Sequence, residues 1–335
     1  MKFLFIYSSA FISALLTAAI ALPLWRTWCL HVGLVDDPGR RKIHDKPMPL
    51  AGGLAVMTAL VLPTVAAFLV LLLFEQFSVK LPALNSTTAS LLSYGIGRRS
   101  LELGAIFLGA VGILIVGFLD DKNELRPGAK FFGQFVVAAL VAASGARITL
   151  FVPSLVFSYA VTILWILTVI NAFNFMDNMN GLCAGLGVIG AFYFATISAI
   201  SGQYLVALIA FLTCGALLGF LPYNFPRATA FLGDAGSHLI GYLLAVLAIL
   251  PHFYTPKNPR PWGVLSPLLI LAIPLGDLVW VVVLRWRMGK PFYIGDTNHL
   301  SHRLVQKGST RTRAVLLIWL LAIAVGSLAI ILEEM

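Results

Sequence analysis

Residues 103–130 read LGAIFLGAVGILIVGFLDDKNELRPGAK, and this stretch decides the fold. An apolar run from 103 to 119 ends at the adjacent acids Asp120 and Asp121, and a basic segment through Lys130 follows. A run of roughly 17 to 25 apolar residues is long enough to cross the hydrocarbon core of a bilayer. The stretch therefore predicts a transmembrane helix that ends in carboxylates at one membrane surface.

The composition of the whole chain agrees with a membrane protein. Hydrophobic residues make up 59% of the 335 residues and charged residues 11%, and the mean hydropathy is +0.93. A soluble domain carries about 25% charged residues, which argues against a water-soluble fold. We predict an all-α integral membrane protein, with one polytopic domain over residues 1–335 and about ten transmembrane helices. These lie near 3–25, 51–74, 103–119, 131–146, 153–171, 182–200, 203–222, 236–251, 263–284 and 313–332.

The distribution of lysine and arginine predicts the orientation of the chain. Cytoplasmic connections between spans collect these residues. Counted from the N-terminus, the odd-numbered gaps between the predicted spans hold sixteen of the 23 Lys and Arg residues. We name these the inner gaps and predict that they face the cytoplasm, with both termini extracytoplasmic. The expected location is the plasma (inner) membrane, which the chain crosses several times.

Aspartates follow the same division. Eight of the nine fall in the inner gaps, and Asp277 is the exception. Adjacent carboxylates such as Asp120 and Asp121 repel each other unless a cation or a shared proton relieves them. Magnesium prefers oxygen ligands and commonly joins one or two carboxylates to substrate phosphates. The pattern indicates a metal-dependent active site at the cytoplasmic surface, although a lone Asp-Asp pair is also typical of a solvated helix end. The eight are Asp36, Asp37, Asp45, Asp120, Asp121, Asp177, Asp234 and Asp296.

Two further inner gaps carry polar groups at spacings that suit a ligand. Asn171, Asn174 and Asp177 are three residues apart, so their side chains share a face if the preceding helix continues through them. Asp234 lies in Gly-Asp-Ala-Gly-Ser, which predicts a flexible turn ahead of a helix, where a metal ligand can face a diphosphate. A simple helix cap is the alternative reading of Asp234.

The first and last inner gaps are basic. Residues 40–44 read RRKIH, and such a segment either brings cations to a phosphate or anchors the chain at the membrane. In the last gap, His299 and His302 are three residues apart and are predicted to share a helix face, where they could contact phosphate or move a proton. They could equally be ordinary loop residues, and no nearby third His or Cys supports a zinc site.

Four motifs occur in a fixed order along these gaps. Asp-Asp-x-x-x-Leu-x-Pro-x-x-Lys begins at Asp120, and Asn-Ala-x-Asn-x-x-Asp begins at Asn171. Asn-x-x-x-Ala-x-x-Phe-Leu-Gly-Asp-x-Gly-Ser begins at Asn224, and His-x-x-His-Arg-Leu begins at His299. The chain resembles the polyprenyl-phosphate N-acetylhexosamine-1-phosphate transferases over residues 33–308. The resemblance lies in the order of the four motifs, in their spacing and in the side of the membrane on which they are predicted to lie.

This resemblance implies a fold and a reaction. The family has ten transmembrane helices with both ends outside. In its reaction a membrane-embedded polyprenyl phosphate attacks the β-phosphorus of a UDP-N-acetylhexosamine, releases UMP and leaves a lipid-linked diphosphosugar. The expected cofactor is Mg²⁺, with Mn²⁺ as the other candidate, and the expected partners are the UDP-sugar, the lipid and the membrane. No nucleic-acid partner is expected, and a homodimer stays open.

The resemblance also implies a role for each matching residue. Asp234 would bind the metal, while Asp120 and Asp121 would contact the metal and deprotonate or position the lipid phosphate. His299 and His302 would act near the diphosphate. Phe231 would stack on the uracil ring, a contact worth about 0.5–1.5 kcal/mol beyond its burial. The residues expected to bind substrate are Asn174, Asp177, Asn224, Phe231 and Lys130.

The chain departs from the family pattern at two positions. Many members carry a histidine where this chain has Ser301 and an aspartate where it has Asn180, so a central histidine has no counterpart here. The sequences Gly-Leu-Val-Asp, Arg-Lys-x-His and Pro-Leu-Ala-Gly-Gly are more similar to the N-acetylglucosamine branch than to the branch that uses a muramoyl-pentapeptide nucleotide. UDP-GlcNAc is therefore the first candidate substrate, and another UDP-HexNAc is the second.

Two other classes of membrane protein compete with this interpretation. An ion-coupled transporter also buries acids among about ten helices, and Asp277, beside Pro274 and Gly276, fits a midplane site on a broken helix. We expect instead that Asp277 braces a kink or pairs with a neighbouring helix. A membrane prenyltransferase would use an aspartate-rich motif similar to residues 120–124, but it needs a second such motif, and residues 177–180 supply one acid.

Overall fold

The computed structural model describes residues 3–38, 46–77, 86–150, 152–251, 253, 261–291 and 296–334. Within these ranges the regular secondary structure is helical apart from one antiparallel hairpin, β1 (Val35–Asp36) with β2 (Met48–Pro49), so the all-α prediction is confirmed. Short 3₁₀ turns cover Leu221–Tyr223 and Pro261–Leu265. The helices are α1 (Leu4–Val32), α2 (Gly52–Phe77), α3 (Ser86–Arg98), α4 (Ser100–Asn123), α5 (Pro127–Ser144), α6 (Leu155–Met176), α7 (Leu182–Ile200), α8 (Tyr204–Phe220), α9 (Gly233–Ile249), α10 (Ser266–Ile270), α11 (Ala272–Arg287), α12 (Leu300–Gln306) and α13 (Arg311–Glu334).

Most of the predicted segments are long apolar helices. Seven helices of the described chain are long and apolar enough to cross a membrane, and the count is up to eight if one bent pair forms a single span. Two shorter apolar helices, Pro127–Ala143 and Gly233–Ile249, coincide with the fourth and eighth predicted segments. The chain is therefore a helical protein with the lengths and composition of a multi-pass membrane protein.

The structure extends two predicted segments and breaks another. α4 continues to Asn123 and so includes the Asp-Asp pair in its last turn, and α6 continues to Met176. The segment predicted near 263–284 is instead divided at Leu271, where the two parts are bent by 70°. The outer gap over 75–102, between the second and third predicted spans, contains the helix α3.

Large apolar side chains cover the outside of the helices. Leu24 is 70% exposed, Leu164 is 65% exposed and Trp286 is 78% exposed. Soluble monomers rarely leave contiguous apolar patches larger than a few hundred Å² in contact with water. Lipid is the environment in which this surface is stable.

Glycines let three helices approach closely at the polar end of the bundle. A Cβ at Gly117 of α4 would lie 2.5 Å from the Cα of Ala235 in α9. A Cβ at Gly53 of α2 would lie 2.6 Å from the backbone nitrogen of Gly236. Carbon atoms in contact are normally separated by about 3.5–4.0 Å, so larger side chains would push the helices apart. The first turn of α9 is thus held between α2 and α4.

The hairpin connects the first inner gap to the segment before α9. The Phe231 nitrogen donates to the Pro49 carbonyl at 3.0 Å, and the Gly52 nitrogen donates to the Phe231 carbonyl at 2.9 Å. These bonds fix the entry into α9 against the start of α2. The basic segment predicted over residues 40–44, and Asp45 beside it, lie outside the described residues.

Candidate active site

Two aspartates from distant parts of the chain meet at one lysine ammonium. Lys130 Nζ in α5 lies 2.7 Å from Asp120 Oδ2 at the end of α4 and 3.0 Å from Asp234 Oδ2 in α9. The other oxygen of Asp120 accepts a 2.9 Å hydrogen bond from the Leu125 nitrogen, which fixes the turn between α4 and α5. Asp120 and Lys130 from one motif and Asp234 from another therefore form one cluster.

Asp121 caps the helix that carries Asp234. Its two carboxylate oxygens accept hydrogen bonds from the backbone nitrogens of Asp234 at 2.6 Å and Ala235 at 3.0 Å. A carboxylate at a helix N-terminus satisfies free N–H groups and interacts favourably with the helix dipole. Gly233 has a φ of +69°, and a Cβ there would lie 2.5 Å from Asp121 Oδ2, so glycine is required. The Asp-Asp pair is thus divided between an ammonium and a helix end, and Asp234 lies inside the first turn of α9 rather than in a turn before it.

Asn174 attaches α6 to the same cluster. Its Nδ2 donates to Asp234 Oδ1 at 2.5 Å and to Ser237 Oγ at 3.0 Å. Asn171, one turn earlier, donates instead to Gln134 Oε1 of α5 at 2.8 Å. The helix does continue through both residues, as the spacing required, but Asn171 braces a helix contact while Asn174 orients the Asp234 carboxylate.

The side chain of Asp177 has no polar partner among the described residues. The residue is the C-cap of α6, and its carboxylate has no hydrogen bond or ion pair with the described residues. Burial and the nearby charges of Asp234, Asp121 and Asp36 raise the pKa of Asp177 to about 8. We name Asp120, Asp121, Asp177 and Asp234, with Lys130, the aspartate cluster. Its acids outnumber its lysine, so the cluster is suited to receive a cation.

The cluster is not a preformed metal cage. No three His, Cys, Asp or Glu side chains within the described ranges converge on a common point. Magnesium, however, is usually held by one or two carboxylates together with substrate phosphates. The unpartnered carboxylate of Asp177, close enough to Asp234 for their charges to interact, meets that smaller requirement, so the residues present fit a divalent cation that arrives with a phosphorylated substrate.

Asn224 braces two loops beside the cluster. The side chain is 2% exposed; its Oδ1 accepts from the Gly181 nitrogen at 2.7 Å and its Nδ2 donates to the Ala230 carbonyl at 3.0 Å. Phe231 is half-buried against the core and is fixed through its backbone by the hairpin. Substrate binding by Asn224 and uracil stacking by Phe231 stay predictions, and the structure adds a bracing role for Asn224.

Asp277 pairs with the neighbouring helix α12, as expected, and so organises the histidine motif, a partner that the sequence did not show. Its Oδ2 lies 2.7 Å from His299 Nδ1, and its Oδ1 accepts from the Leu300 nitrogen at 2.6 Å. His299 is the extended N-cap of α12, and its ring centre lies 6.3 Å from that of His302. The expectation that both histidines lie on one helix face is therefore wrong, because His299 precedes the helix. An acid beside the break in a helix was the available signal.

A chain of paired groups supports this region. Arg285, 1% exposed, binds Asp296 at 2.8 Å, and its guanidinium carbon lies 5.0 Å from the centre of the Phe175 ring. Phe175 in turn meets the His299 ring edge to face at 5.6 Å. Burial alone would raise the pKa of Asp296, but the hydrogen bonds from Arg285 and Asn298 hold it below its usual value. We name Asp277, Arg285, Asp296, His299 and His302 the histidine arm.

Burial and like charge act on His302. Burial, followed by the charges of His299 and Arg311, lowers the pKa of His302 below its usual value. Its neighbour Ser301 is fully buried and donates a 2.6 Å hydrogen bond to Asn178 Oδ1. The serine thus ties the histidine arm to the end of α6, one residue beyond Asp177.

Known proteins resemble the chain along most of its length. The profile described as Glycosyl transferase family 4 matches residues 103–252. A probable undecaprenyl-phosphate N-acetylglucosaminyl 1-phosphate transferase of Bacillus subtilis (strain 168) is 32% identical over 97% of this chain and 84% of its own length. A decaprenyl-phosphate N-acetylglucosaminephosphotransferase of Mycobacterium tuberculosis (strain ATCC 25618 / H37Rv) is 34% identical over 87% of this chain and 73% of its own.

A third relative is more distant but equally extensive. The undecaprenyl-phosphate alpha-N-acetylglucosaminyl 1-phosphate transferase of Escherichia coli (strain K12) is 28% identical over 97% of this chain and 84% of its own length. The matches include the segments that form the aspartate cluster. The chain therefore belongs to the polyprenyl-phosphate N-acetylhexosamine-1-phosphate transferase family.

Proposed function

We propose that the protein transfers N-acetylglucosamine-1-phosphate from UDP-GlcNAc to undecaprenyl phosphate and releases UMP. The observation that carries the proposal is the aspartate cluster, which gathers four acids and one lysine at the polar end of long apolar helices. A cation and two phosphorylated substrates, one of them a lipid, suit that location. The printed names of the relatives, which specify N-acetylglucosamine and undecaprenyl or decaprenyl phosphate, support the same substrates.

The proposed topology has ten spans, both termini extracytoplasmic and the aspartate cluster at the cytoplasmic surface of the plasma membrane. Support comes from the seven long apolar helices, the bent pair α10–α11 and the two shorter helices within α5 and α9. The positive-inside bias gives the orientation. Reporters fused to each terminus test it, because a reporter that is active in the cytoplasm at either end would contradict the proposed topology.

Mg²⁺ is the cofactor we propose, with Mn²⁺ as the alternative. Asp234, Asp120 and Asp177 are the carboxylates that would hold it. Asp121 already accepts a backbone hydrogen bond at each oxygen, so its proposed contribution is to fix Asp234. When bound, the metal would offset charge on the diphosphate and on the departing UMP.

The side chains of the site then act by positioning and by charge. Phosphoryl transfer needs little covalent help from the protein once its groups are aligned. Lys130 is placed to bind a phosphate oxygen beside Asp120, and Asn174 holds Asp234 in one orientation. Asp277 fixes His299 through Nδ1, so that Nε2 is the nitrogen left to contact the diphosphate.

We propose that the lipid phosphate attacks the β-phosphorus directly. The oxygen of the lipid phosphate forms the new P–O bond while the bond to the UMP oxygen breaks. A covalent aspartyl intermediate is not needed, because the lipid phosphate is already a competent nucleophile. Single-turnover mixing of enzyme and UDP-GlcNAc without lipid tests this step, and a burst of UMP equal to the enzyme concentration would contradict it.

The experiment for the whole proposal uses purified protein, undecaprenyl phosphate, MgCl₂ and a panel of UDP-sugars. We expect UMP and a lipid-linked sugar in equal amounts with UDP-GlcNAc, and loss of both when EDTA is added. The absence of a lipid product with every UDP-N-acetylhexosamine would contradict the proposal. Transfer of a prenyl group to an acceptor would instead indicate a prenyltransferase, and ion-driven uptake into vesicles without UMP release would indicate a transporter.

A further inference from the structure

A second polar cavity lies at the end of the bundle opposite the aspartate cluster. Glu102 lies near the start of α4 and Asp120 near its end. At a rise of 1.5 Å per residue, these positions are separated by about 27 Å, close to the roughly 30 Å thickness of a hydrocarbon core. α9 also joins the two regions. Asp234 of the aspartate cluster lies in its first turn, and Ile249, which lines the cavity, lies at its end. The cavity is therefore at the level of the opposite membrane surface.

The lining of this cavity is basic and half apolar. Its volume is about 600 Å³, and four separate segments of the chain surround it. The charged groups among the described lining residues are the guanidinium groups of Arg98, Arg99 and Arg147 and the carboxylate of Glu102. Leu205 and Leu250 supply part of the apolar wall. We name this space the outer basic cavity.

Arg147 is held in place by the connection between α5 and α6. Its guanidinium carbon lies 5.3 Å from the centre of the Tyr159 ring. Both backbone polar groups of the next residue, Ile148, are hydrogen-bonded to α6. Its nitrogen donates to Thr162 Oγ1 and its carbonyl accepts from Ser158 Oγ, each at 2.9 Å. A preorganised guanidinium loses less entropy when it binds an anion.

Tyr204 forms a second fixed wall. Its hydroxyl donates to the Leu91 carbonyl at 2.9 Å, and its ring is stacked on Phe3 at 5.0 Å. A Cβ at Gly95 would lie 3.2 Å from the tyrosine oxygen, so the glycine permits this close approach of α3. The half-open cavity is thus bounded by packed groups as well as by exposed side chains such as Arg98.

These arginines lie outside the inner gaps, in which most of the lysine and arginine residues are found. Only seven of the 23 Lys and Arg residues lie outside the inner gaps, and three of the seven line this cavity. A general bias toward cytoplasmic positive charge therefore does not explain them. Glu102 approaches Arg99 at 4.0 Å and is the one acid among three cations in the described lining, which leaves the cavity with net positive charge.

We propose that the outer basic cavity binds the phosphate group of an anionic phospholipid. Guanidinium groups bind phosphate through paired, charge-assisted hydrogen bonds. The level of the cavity is that of the lipid headgroups, and its apolar wall suits the start of an acyl chain. Free phosphate shares the recognised chemistry, so the experiment separates the lipid from the soluble anion.

Native mass spectrometry of the detergent-solubilised full chain provides the test. The protein is mixed with phosphatidylglycerol, with phosphatidylcholine of the same acyl chains, or with glycerol phosphate. We expect retention of phosphatidylglycerol at least about tenfold above that of the other two, and a loss of at least about tenfold in an Arg98→Gln, Arg147→Gln double variant. Arg287→Gln, which removes one exposed charge outside the cavity, is the control and should retain the lipid.

A second variant is expected to increase lipid retention, and this test does not require the double variant to fold. Glu102→Gln removes the acid in the described lining, so we expect retention of phosphatidylglycerol to rise several-fold. Glycerol phosphate binding that is lost in the double variant would support the phosphate site and identify a soluble ligand. Retention of phosphatidylglycerol that is equal in the wild type, the double variant and Glu102→Gln would overturn the proposal.

Discussion

The aspartate cluster and the histidine arm both bury acids near the end of α6, but they balance charge differently. In the histidine arm, Asp296 is paired with Arg285, and Asp277 binds both His299 and a helix N-terminus. In the aspartate cluster, Asp120 and Asp234 share the Lys130 ammonium while Asp177 has no partner in the described ranges. One region is complete as folded, and the other still requires positive charge.

This difference in pairing indicates different functions for the two regions. Buried carboxylates without partners are costly unless a ligand compensates them, so their presence indicates binding of a cation. Paired carboxylates instead hold other side chains in position. We therefore expect substitutions in the aspartate cluster to remove chemistry and metal response, and substitutions in the histidine arm to reduce rate while leaving the metal response intact.

The largest effect is expected for Asp234→Asn. The change keeps the size of the side chain but removes the charge that meets Lys130 and the proposed metal. We expect transfer to fall by about 10³-fold, the scale of a lost electrostatic contact in a transition state. UMP release measures it, with Asp37→Asn, an exposed acid of the same inner gaps, as the control. Activity within tenfold of the wild type would show that Asp234 does not act on the reacting groups.

Asp177→Asn is expected to have the next largest effect and to sharpen the comparison. Loss of the unpartnered carboxylate should lower activity by about 10²-fold and raise the Mg²⁺ concentration needed for half-maximal activity. The same substitution also removes repulsion among buried acids, so we expect the protein without metal to unfold at a higher temperature. An unchanged Mg²⁺ response would place Asp177 outside the metal site.

Asp277→Asn tests the histidine arm. The amide can still accept from Leu300 but no longer offers His299 an anionic partner, so the ring is less firmly oriented. A group that orients a reacting residue typically contributes about 10- to 100-fold. We expect a fall of that size in kcat with an unchanged Mg²⁺ response, measured beside the variant His299→Gln. A shifted Mg²⁺ response would contradict the division between the two regions.

Ser301→Ala should have the smallest effect. It removes the hydrogen bond to Asn178 that ties α12 to α6, a loss of about 1 kcal/mol. We expect activity to fall by less than about tenfold and the melting temperature to drop slightly, compared with the exposed control Ser201→Ala. A loss as large as that of Asp277→Asn would mean that the serine contacts substrate.

Local pattern predicted the helices, and long-range contacts explain what it missed. The length of the apolar runs located the segments that became α1, α2 and α4, because a helix that crosses the hydrocarbon core needs about 20 apolar residues in succession. A kink was expected beside Pro274, but its position at Leu271 and its 70° angle were not, since apolar length does not show where a helix divides. The motifs identified the members of the aspartate cluster, but no spacing shows that Asp121 would cap α9.

The histidine arm was the less predictable region for the same reason. Asp277 and His299 are 22 residues apart and meet only because α11 returns toward the end of α6. Burial and pairing of this kind leave no periodic signal in a sequence. Resemblance to a family supplied the histidines, and the structure supplied the acid that holds one of them.

The most direct test is a single-turnover reaction with UDP-GlcNAc labelled at the β-phosphorus, undecaprenyl phosphate and saturating Mg²⁺, run with the wild type, Asp234→Asn and Asp277→Asn. The account predicts label in the lipid fraction for the wild type, slower appearance of the same product for Asp277→Asn and appearance about 10³-fold slower for Asp234→Asn. Equal rates for Asp234→Asn and the wild type would contradict the claim that the aspartate cluster performs the transfer.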